Sequence, residues 1–77
     1  MEIKYFGEIA ERTDTTSQNI SLEKKSLFEL LSFLKDTYGI DSNDIHIALN
    51  HNLISKEVDL KFDSSDEIAI LSPFAGG

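Results

Sequence analysis

The chain contains no cysteine. Neither a disulfide nor a thiolate metal site can therefore hold it together. Its two histidines cannot by themselves complete a structural zinc site. Basic residues are scarce: 7 Lys and Arg stand against 14 Asp and Glu, a formal net charge of −7. Binding to nucleic acid or to an anionic membrane surface needs Lys and Arg opposite the phosphates, so the balance argues against both as partners. The imbalance favours a basic partner protein, because complementary charge speeds and selects encounters. Solubility alone accounts for it equally well. Long apolar runs are also missing. No stretch approaches the ~20 residues of a membrane span, and Met1–Phe6 has no basic region followed by a long apolar segment. Neither a spanning helix nor a signal peptide is expected, and the cytoplasm is the expected location. At 77 residues the chain fits one domain with a marginal core, and a partner protein is the expected source of further stability.

The apolar residues that are present fall into regular patterns. Met1–Phe6 alternates, with Ile3 and Tyr5 on one side and Glu2, Lys4 and Phe6 on the other, until Gly7 breaks the run. That is a strand with one buried face. A helical turn over Glu8–Arg12 and a Thr-rich loop over Thr13–Ser17 precede a second strand, Asn19–Leu22, with Ile20 and Leu22 on one face. Ser26 and Glu29 have the spacing of a capping box. Leu27, Leu30, Leu31, Leu34 and Tyr38 then form one stripe at helical spacing, flanked by Phe28 and Phe33, and Gly39 sits where a left-handed C-cap belongs. This predicts a helix over residues 27–38. A third strand is expected over Asp44–Asn50, a turn at His51-Asn52 and a fourth strand at Leu53-Ile54. An irregular stretch over Lys56–Asp66 is anchored by Val58, Leu60 and Phe62, and includes a turn at Asp63-Ser64-Ser65-Asp66. The last strand is Glu67–Leu71. One helix must bury its stripe against the sheet. The order β-β-α-β-β-β therefore predicts an α+β fold of the β-grasp, ubiquitin-like kind. A mixed sheet of about five strands is crossed by one main helix, with the first and last strands parallel at the centre. Residues 1–73 form the domain and 74–77 a flexible C-terminal tail.

After Leu71 the sequence runs Ser72-Pro73-Phe74-Ala75-Gly76-Gly77. Pro73 cannot donate to a sheet ladder and helps end the strand. Ala75, Gly76 and Gly77 carry too little apolar surface to dock on the domain and are expected to project into solvent. Four extended residues reach about 13–14 Å, enough to enter a partner's active site. A tip without side chains fits a narrow channel and leaves the terminal carboxylate uncovered. Such a carboxylate can be activated as an acyl-adenylate and captured by a sulfur nucleophile, which leaves a thiocarboxylate on Gly77. With no cysteine to hold a persulfide, the C-terminus is the one place where the chain can carry sulfur. A chance Gly-Gly pair or an expression scar is the plainer alternative.

Three segments, Lys4 to Thr13, Asp66 to Leu71 and above all Ser72 to Gly77, resemble the small sulfur-carrier subunit of molybdopterin synthase, in the MoaD/ThiS-like ubiquitin-fold family. Ser72 stands where that family usually has the first of two prolines, Phe74 where valine is common, and Ser65 where glycine is frequent. The resemblance implies that an E1-like, ATP-dependent adenylyltransferase activates Gly77 and that a sulfur donor converts it to the thiocarboxylate. The large synthase subunit then receives the tail, Pro73, Phe74, Ala75, Gly76 and Gly77. Sulfur passes to cyclic pyranopterin monophosphate to build the dithiolene of molybdopterin. By the same resemblance the carrier is a non-catalytic member of a heterotetramer, with no catalytic residue, metal or bound cofactor of its own, and ATP is consumed by the activating enzyme.

Phe74 is a candidate anchor at the mouth of a partner's channel. Phe6, off the buried face of its strand, belongs either to an exposed apolar patch or to the edge of the core. His46 and His51 have no carboxylate at catalytic spacing and are expected to be ordinary surface residues. Asp41 and Asp44, and Asp63, Asp66 and Glu67, lack the ligand pattern of a calcium loop. Lys24-Lys25 is expected to face solvent. Three rival functions remain at this level: a sulfur carrier for thiamine thiazole synthesis, a ubiquitin-like modifier joined to lysines, and an interaction domain whose tail is incidental.

Overall fold

In the computed structural model, which describes residues 1–20 and 26–73, the alternating N-terminal segment forms β1 (Glu2–Tyr5). There follow α1 (Glu8–Thr13), β2 (Ser17–Asn19), α2 (Leu27–Tyr38), a 3₁₀ turn (Ser42–Asp44), β3 (His46–Leu49), β4 (Asn52–Ile54) and β5 (Glu67–Leu71). The five strands make one sheet in the order β2-β1-β5-β3-β4. β1 and β5 are parallel, with Ile3 opposite Ile68 and Tyr5 opposite Ile70. The other pairs are antiparallel. This is the ubiquitin-like β-grasp arrangement. The expected central parallel pair is present, and β5 is the middle strand.

Helix α2 begins and ends where its local chemistry dictates. The Ser26 hydroxyl accepts from the Glu29 amide at 3.3 Å. At the other end Gly39 adopts φ 69° and donates to the Lys35 carbonyl at 2.9 Å. Leu27, Leu30 and Leu34 are wholly buried, whereas Leu31 and Tyr38 pack at the margin. They join Ile3, Tyr5, Ile9, Ile40, Ile45, Ile47, Phe62, Ile68 and Ile70 in one core cluster. Arg12 ties α1 to the end of α2 by donating to the Gly39 carbonyl at 3.1 Å.

Several boundaries differ from the sequence reading. The second strand is Ser17–Asn19, not Asn19–Leu22; Leu22 and Lys24-Lys25 lie outside the described residues. Backbone pairing with β1 selects this segment, and its inward residue is polar. The Gln18 side-chain oxygen accepts from the hydroxyls of Tyr5, at 2.9 Å, and Tyr38, at 3.1 Å. Burial, then the neighbouring Tyr38, pushes the Tyr5 hydroxyl's pKa upward. The hairpin turn is Asn50-His51 rather than His51-Asn52. Both residues have positive φ, 49° and 73°, as a two-residue primed turn requires. The pair Leu49–Asn52 closes it. Asn50 also staples this turn to β5. Its amide donates to the Glu67 carbonyl at 2.9 Å, its side-chain oxygen accepts from the Glu67 amide at 3.0 Å, and its side-chain nitrogen donates to Asp66 at 3.0 Å. Residues 42–44, partly assigned to the third strand, turn instead, because the Asp41 carboxylate accepts from the Asn43 amide at 2.9 Å. Of the three expected anchors, Phe62 is buried and Leu60 partly so, but Val58 is exposed.

Two outcomes test this architecture. A Cβ on Gly39 meets nothing within 4 Å, so Gly39→Ala carries only the left-handed backbone cost. It should lower unfolding free energy by about 1 kcal/mol in urea titration, with the fold intact. The second concerns acid. The Asp63 amide and the Asn50 side chain hold Asp66 below the usual carboxylate range. The hydrogen bond and charge of Lys4, at 2.7 Å, do the same for Glu67. With folded pKa values below unfolded ones, this stabilisation is present above pH about 4 and is lost as pH falls through the folded values. Thermal unfolding from pH 7 to pH 3 should show that loss, and the pair Asp66→Asn with Glu67→Gln should flatten it.

Candidate functional site

Phe74, Ala75, Gly76 and Gly77 lie outside the described residues. The site is therefore built from the strand end that leads to them. β5 finishes at Leu71; Ser72 is buried and Pro73 partly exposed. On one side, the Phe6 amide donates to the Ile70 carbonyl at 3.1 Å, which sets Phe6 beside the end of β5. On the other side, His46 stands opposite Leu71. Because β1 and β5 run parallel and β3 antiparallel to both, the end of β1, the end of β5 and the start of β3 meet at one edge.

Strand alternation decides what surrounds this exit. The odd residues of β1 and the Ile residues of β5 point into the core, so their neighbours form the outer face. Across it run the register pairs Lys4–Ala69, Ala69–Ala48 and Ala48–Leu53, with His46–Leu71 at the exit edge. Ala69 and Ala48 make a low floor. Phe6, 44 % exposed, and Leu53, 70 % exposed, rise at its two sides. The β1-to-β4 distance is three strand spacings, about 14 Å. The result is an apolar face continuous with the exit, of the kind that marks an interaction surface when exposed.

Charge enters this face at Lys4, in the rung of Ala69, and continues beyond it at Glu67. Glu67 receives Lys4 on one carboxylate oxygen at 2.7 Å and faces His51 on the other at 3.3 Å. The hydrogen bond from Lys4 to Glu67 raises the Lys4 pKa. His51 is 86 % exposed on the hairpin turn, and His46 is exposed beside Leu71. Among the described residues, no group of three or more His, Cys, Asp or Glu side chains is placed to hold a metal ion. No helix among them is long and apolar enough to cross a membrane.

Of the residues singled out in the sequence, the structure thus places Phe6 and Pro73 at the same edge. Leu53, Leu71, Ala48 and Ala69 were not singled out. The place of Leu53 depends on the register of the β3–β4 hairpin, which follows from Asn50-His51 being the turn, and that of Leu71, Ala69 and Ala48 on the register of β5 with β1 and β3.

Residues 3–77 match the ThiS family. Among curated proteins, the chain is 34 % identical over 67 residues to a protein of Dictyostelium discoideum named molybdopterin synthase sulfur carrier subunit. The match spans 83 % of this chain and 78 % of that one. Among solved structures, it is similar to the complex of subunits 1 and 2 of molybdopterin-converting factor from Helicobacter pylori, with 28 % identity, a TM-score of 0.69, and 99 % and 96 % of the two chains covered. SAMP1 from Haloferax volcanii shares the fold at 19 % identity and a TM-score of 0.76, with 100 % and 98 % of the chains covered. With a β-grasp sheet built around β5 and a family match over residues 3–77, this chain belongs to the ThiS family.

Proposed function

We propose that this chain is the sulfur-carrier subunit of a molybdopterin synthase and that Gly77 is the atom-bearing residue. The observation that carries the reading is the 34 % identity to the Dictyostelium discoideum carrier subunit over 83 % of the chain. In support, the sequence reaches Gly77 through a Pro-aromatic lead-in, and an apolar face adjoins the strand end from which that segment departs.

The chemistry proceeds in three balanced steps. A Gly77 carboxylate oxygen attacks the α-phosphorus of ATP in the E1-like adenylyltransferase, and pyrophosphate leaves. A sulfide-level nucleophile then attacks the acyl carbon and AMP leaves, giving the thiocarboxylate. In the large subunit the thiocarboxylate sulfur attacks a side-chain carbon of cyclic pyranopterin monophosphate, and the oxygen substituent on that carbon leaves with its bonding electron pair, so that an acyl–sulfur–carbon link joins Gly77 to the pterin. Water then cleaves the acyl–sulfur bond, which returns the Gly77 carboxylate and leaves sulfur on the pterin. A dithiolene holds two sulfur atoms, so each product requires two loaded carriers.

In this reading the domain supplies no catalytic side chain. It docks through Phe6, Leu71 and Leu53 while Pro73, Phe74, Ala75 and Gly76 extend into the large subunit's pocket. Glycine at the last two positions suits a narrow channel. The assembly is a heterotetramer with one carrier at each end of a large-subunit dimer, in the cytoplasm. The named subunit 1–subunit 2 complex of Helicobacter pylori favours a large-subunit partner.

Incubation with the cognate adenylyltransferase, ATP and sulfide should add the mass of one oxygen-to-sulfur exchange, localised to Gly77. Removal of Gly77 should abolish that gain and leave the thermal transition unchanged. A mass gain elsewhere on the chain, or none, sinks the proposal. Transfer to a thiazole precursor, or isopeptide bonds from Gly77 to lysines, would reassign the pathway. The docking face is tested separately. Phe6→Asp and Leu53→Asp should each weaken large-subunit binding about tenfold or more by calorimetry, because a charge is then buried in an apolar contact.

A further inference from the structure

Lys56 follows β4 and spends its charge in an unusual way. Its ammonium donates to two backbone carbonyls, Ser42 at 2.6 Å and Ile45 at 2.6 Å. Among the described residues the ion pairs are Lys4–Glu67, Lys35–Asp41 and His51–Glu67, so no carboxylate there competes for it. Ser42 opens the 3₁₀ turn, and Ile45, wholly buried, follows that turn and leads into β3. The Asp44 amide already closes the turn onto the Asp41 carbonyl at 3.0 Å. Lys56 satisfies one carbonyl at the start of the turn and one at the residue that follows it. A single ammonium thereby binds the segment after β4 to the segment before β3.

The next residue after Ile45 is His46, which stands opposite Leu71 on β5. Leu71 is the last strand residue before Ser72-Pro73. The chain of contacts therefore runs from Lys56 through Ile45 to the His46–Leu71 rung. That rung fixes both the exit of β5 and the adjoining edge of the apolar face. We propose that Lys56 is a positioning residue for docking and sulfur transfer: it holds this rung and so sets the direction in which the chain leaves β5. The role rests on the sulfur-carrier reading. Without the ammonium, two partly buried carbonyls lose their donor, and the 42–46 segment gains freedom that docking must remove. Ordering lost segments costs affinity more than chemistry.

The test uses full-length carrier, loaded as thiocarboxylate and titrated into the molybdopterin synthase large subunit, with Lys56→Met, Lys56→Gln and Lys56→Arg. Lys56→Met should raise the KM for carrier about tenfold and change kcat less than about twofold. Amide exchange should quicken at residues 45–47 and 70–72 and not in α2. Lys56→Arg, whose fork can donate to both carbonyls, should restore KM to within about threefold. Lys56→Gln, with a neutral donor, should fall between. If Lys56→Met does not fold, the order of KM values for Gln and Arg decides. Unchanged KM in a folded Met or Gln variant, or a fall in kcat at constant KM, overturns the role of Lys56 alone. Wild-type carrier that acquires no sulfur, or does not bind the large subunit, overturns the carrier reading and this role with it.

Discussion

The parallel pairing of β1 with β5 is the constraint on which the rest of the molecule depends. Ile3 opposite Ile68 and Tyr5 opposite Ile70 put the two most apolar inner faces of the chain side by side in the one core cluster with Leu27, Leu30 and Leu34. Parallel neighbours cannot be joined by a tight turn, so a crossover must carry the chain from one to the other. Here that crossover comprises almost the whole domain, from α1 to the Asp63–Asp66 turn. Long-range closure of this kind is entropically costly until it is made, and the buried Ile and Leu side chains offset that cost. The same pairing has a geometric result: both strands end at the same edge, so Phe6 and Leu71 become neighbours although sixty-odd positions separate them in the sequence.

From that edge the outer face follows. Each inward Ile on β5 forces Ala69 and Leu71 outward, and β3 answers with Ala48 and His46 in register. Small residues on two adjacent central strands keep the floor low, so Phe6 and Leu53 stand proud of it. Sheets of mixed type usually cover one face with helices and leave the other polar and wet. The outer face here carries Phe6, Leu71 and His46 at the strand exit, Lys4 in one rung with Ala69, Ala48 and Leu53, and Glu67 and His51 beyond that rung. Its apolar residues are thus interleaved with a cation and bounded by charge on the side away from the exit.

How much of this was legible before the structure depended on whether the deciding signal was local. Helix α2 was legible at both ends, because Ser26 and Gly39 act on the backbone within one turn of themselves. β1 and β5 were legible because two-residue alternation reports a half-buried face directly. β2 lies earlier than the alternation of Ile20 and Leu22 implies, and nothing in a Ser-Gln-Asn run reveals that Gln18 accepts from two tyrosine hydroxyls brought from elsewhere. The hairpin turn shifted by one residue for a related reason. Asn50 tolerates positive φ and has three hydrogen bonds to residues 66 and 67 that compensate it, but those partners are remote in sequence. That single shift concealed Leu53 as part of the outer face. Phe6 could be assigned to the non-core side of β1, yet whether it was exposed depended on Leu71, which only the parallel register supplies. Val58 was expected to anchor the segment after β4, but there the polar contacts of Lys56 and the bond from the Phe28 amide to Asp59 at 2.9 Å hold the chain while Val58 stays in solvent.

A 77-residue domain has little apolar surface to spare. Folding gains about 25 cal/mol for each square ångström removed from water, so leaving Phe6 and Leu53 outside the core forgoes stability that a small domain would otherwise use. Scattered apolar residues need no explanation. These two, however, lie on one face with Leu71, beside the strand end that leads to Gly76-Gly77. Under the carrier reading proposed above, a partner covering this face would recover the forgone burial as binding energy, and the positioning of Leu71 would matter to that contact. The end of β5 is held from both sides, by the Phe6 amide on the Ile70 carbonyl and by the His46–Leu71 pair, whose neighbour Ile45 accepts from Lys56.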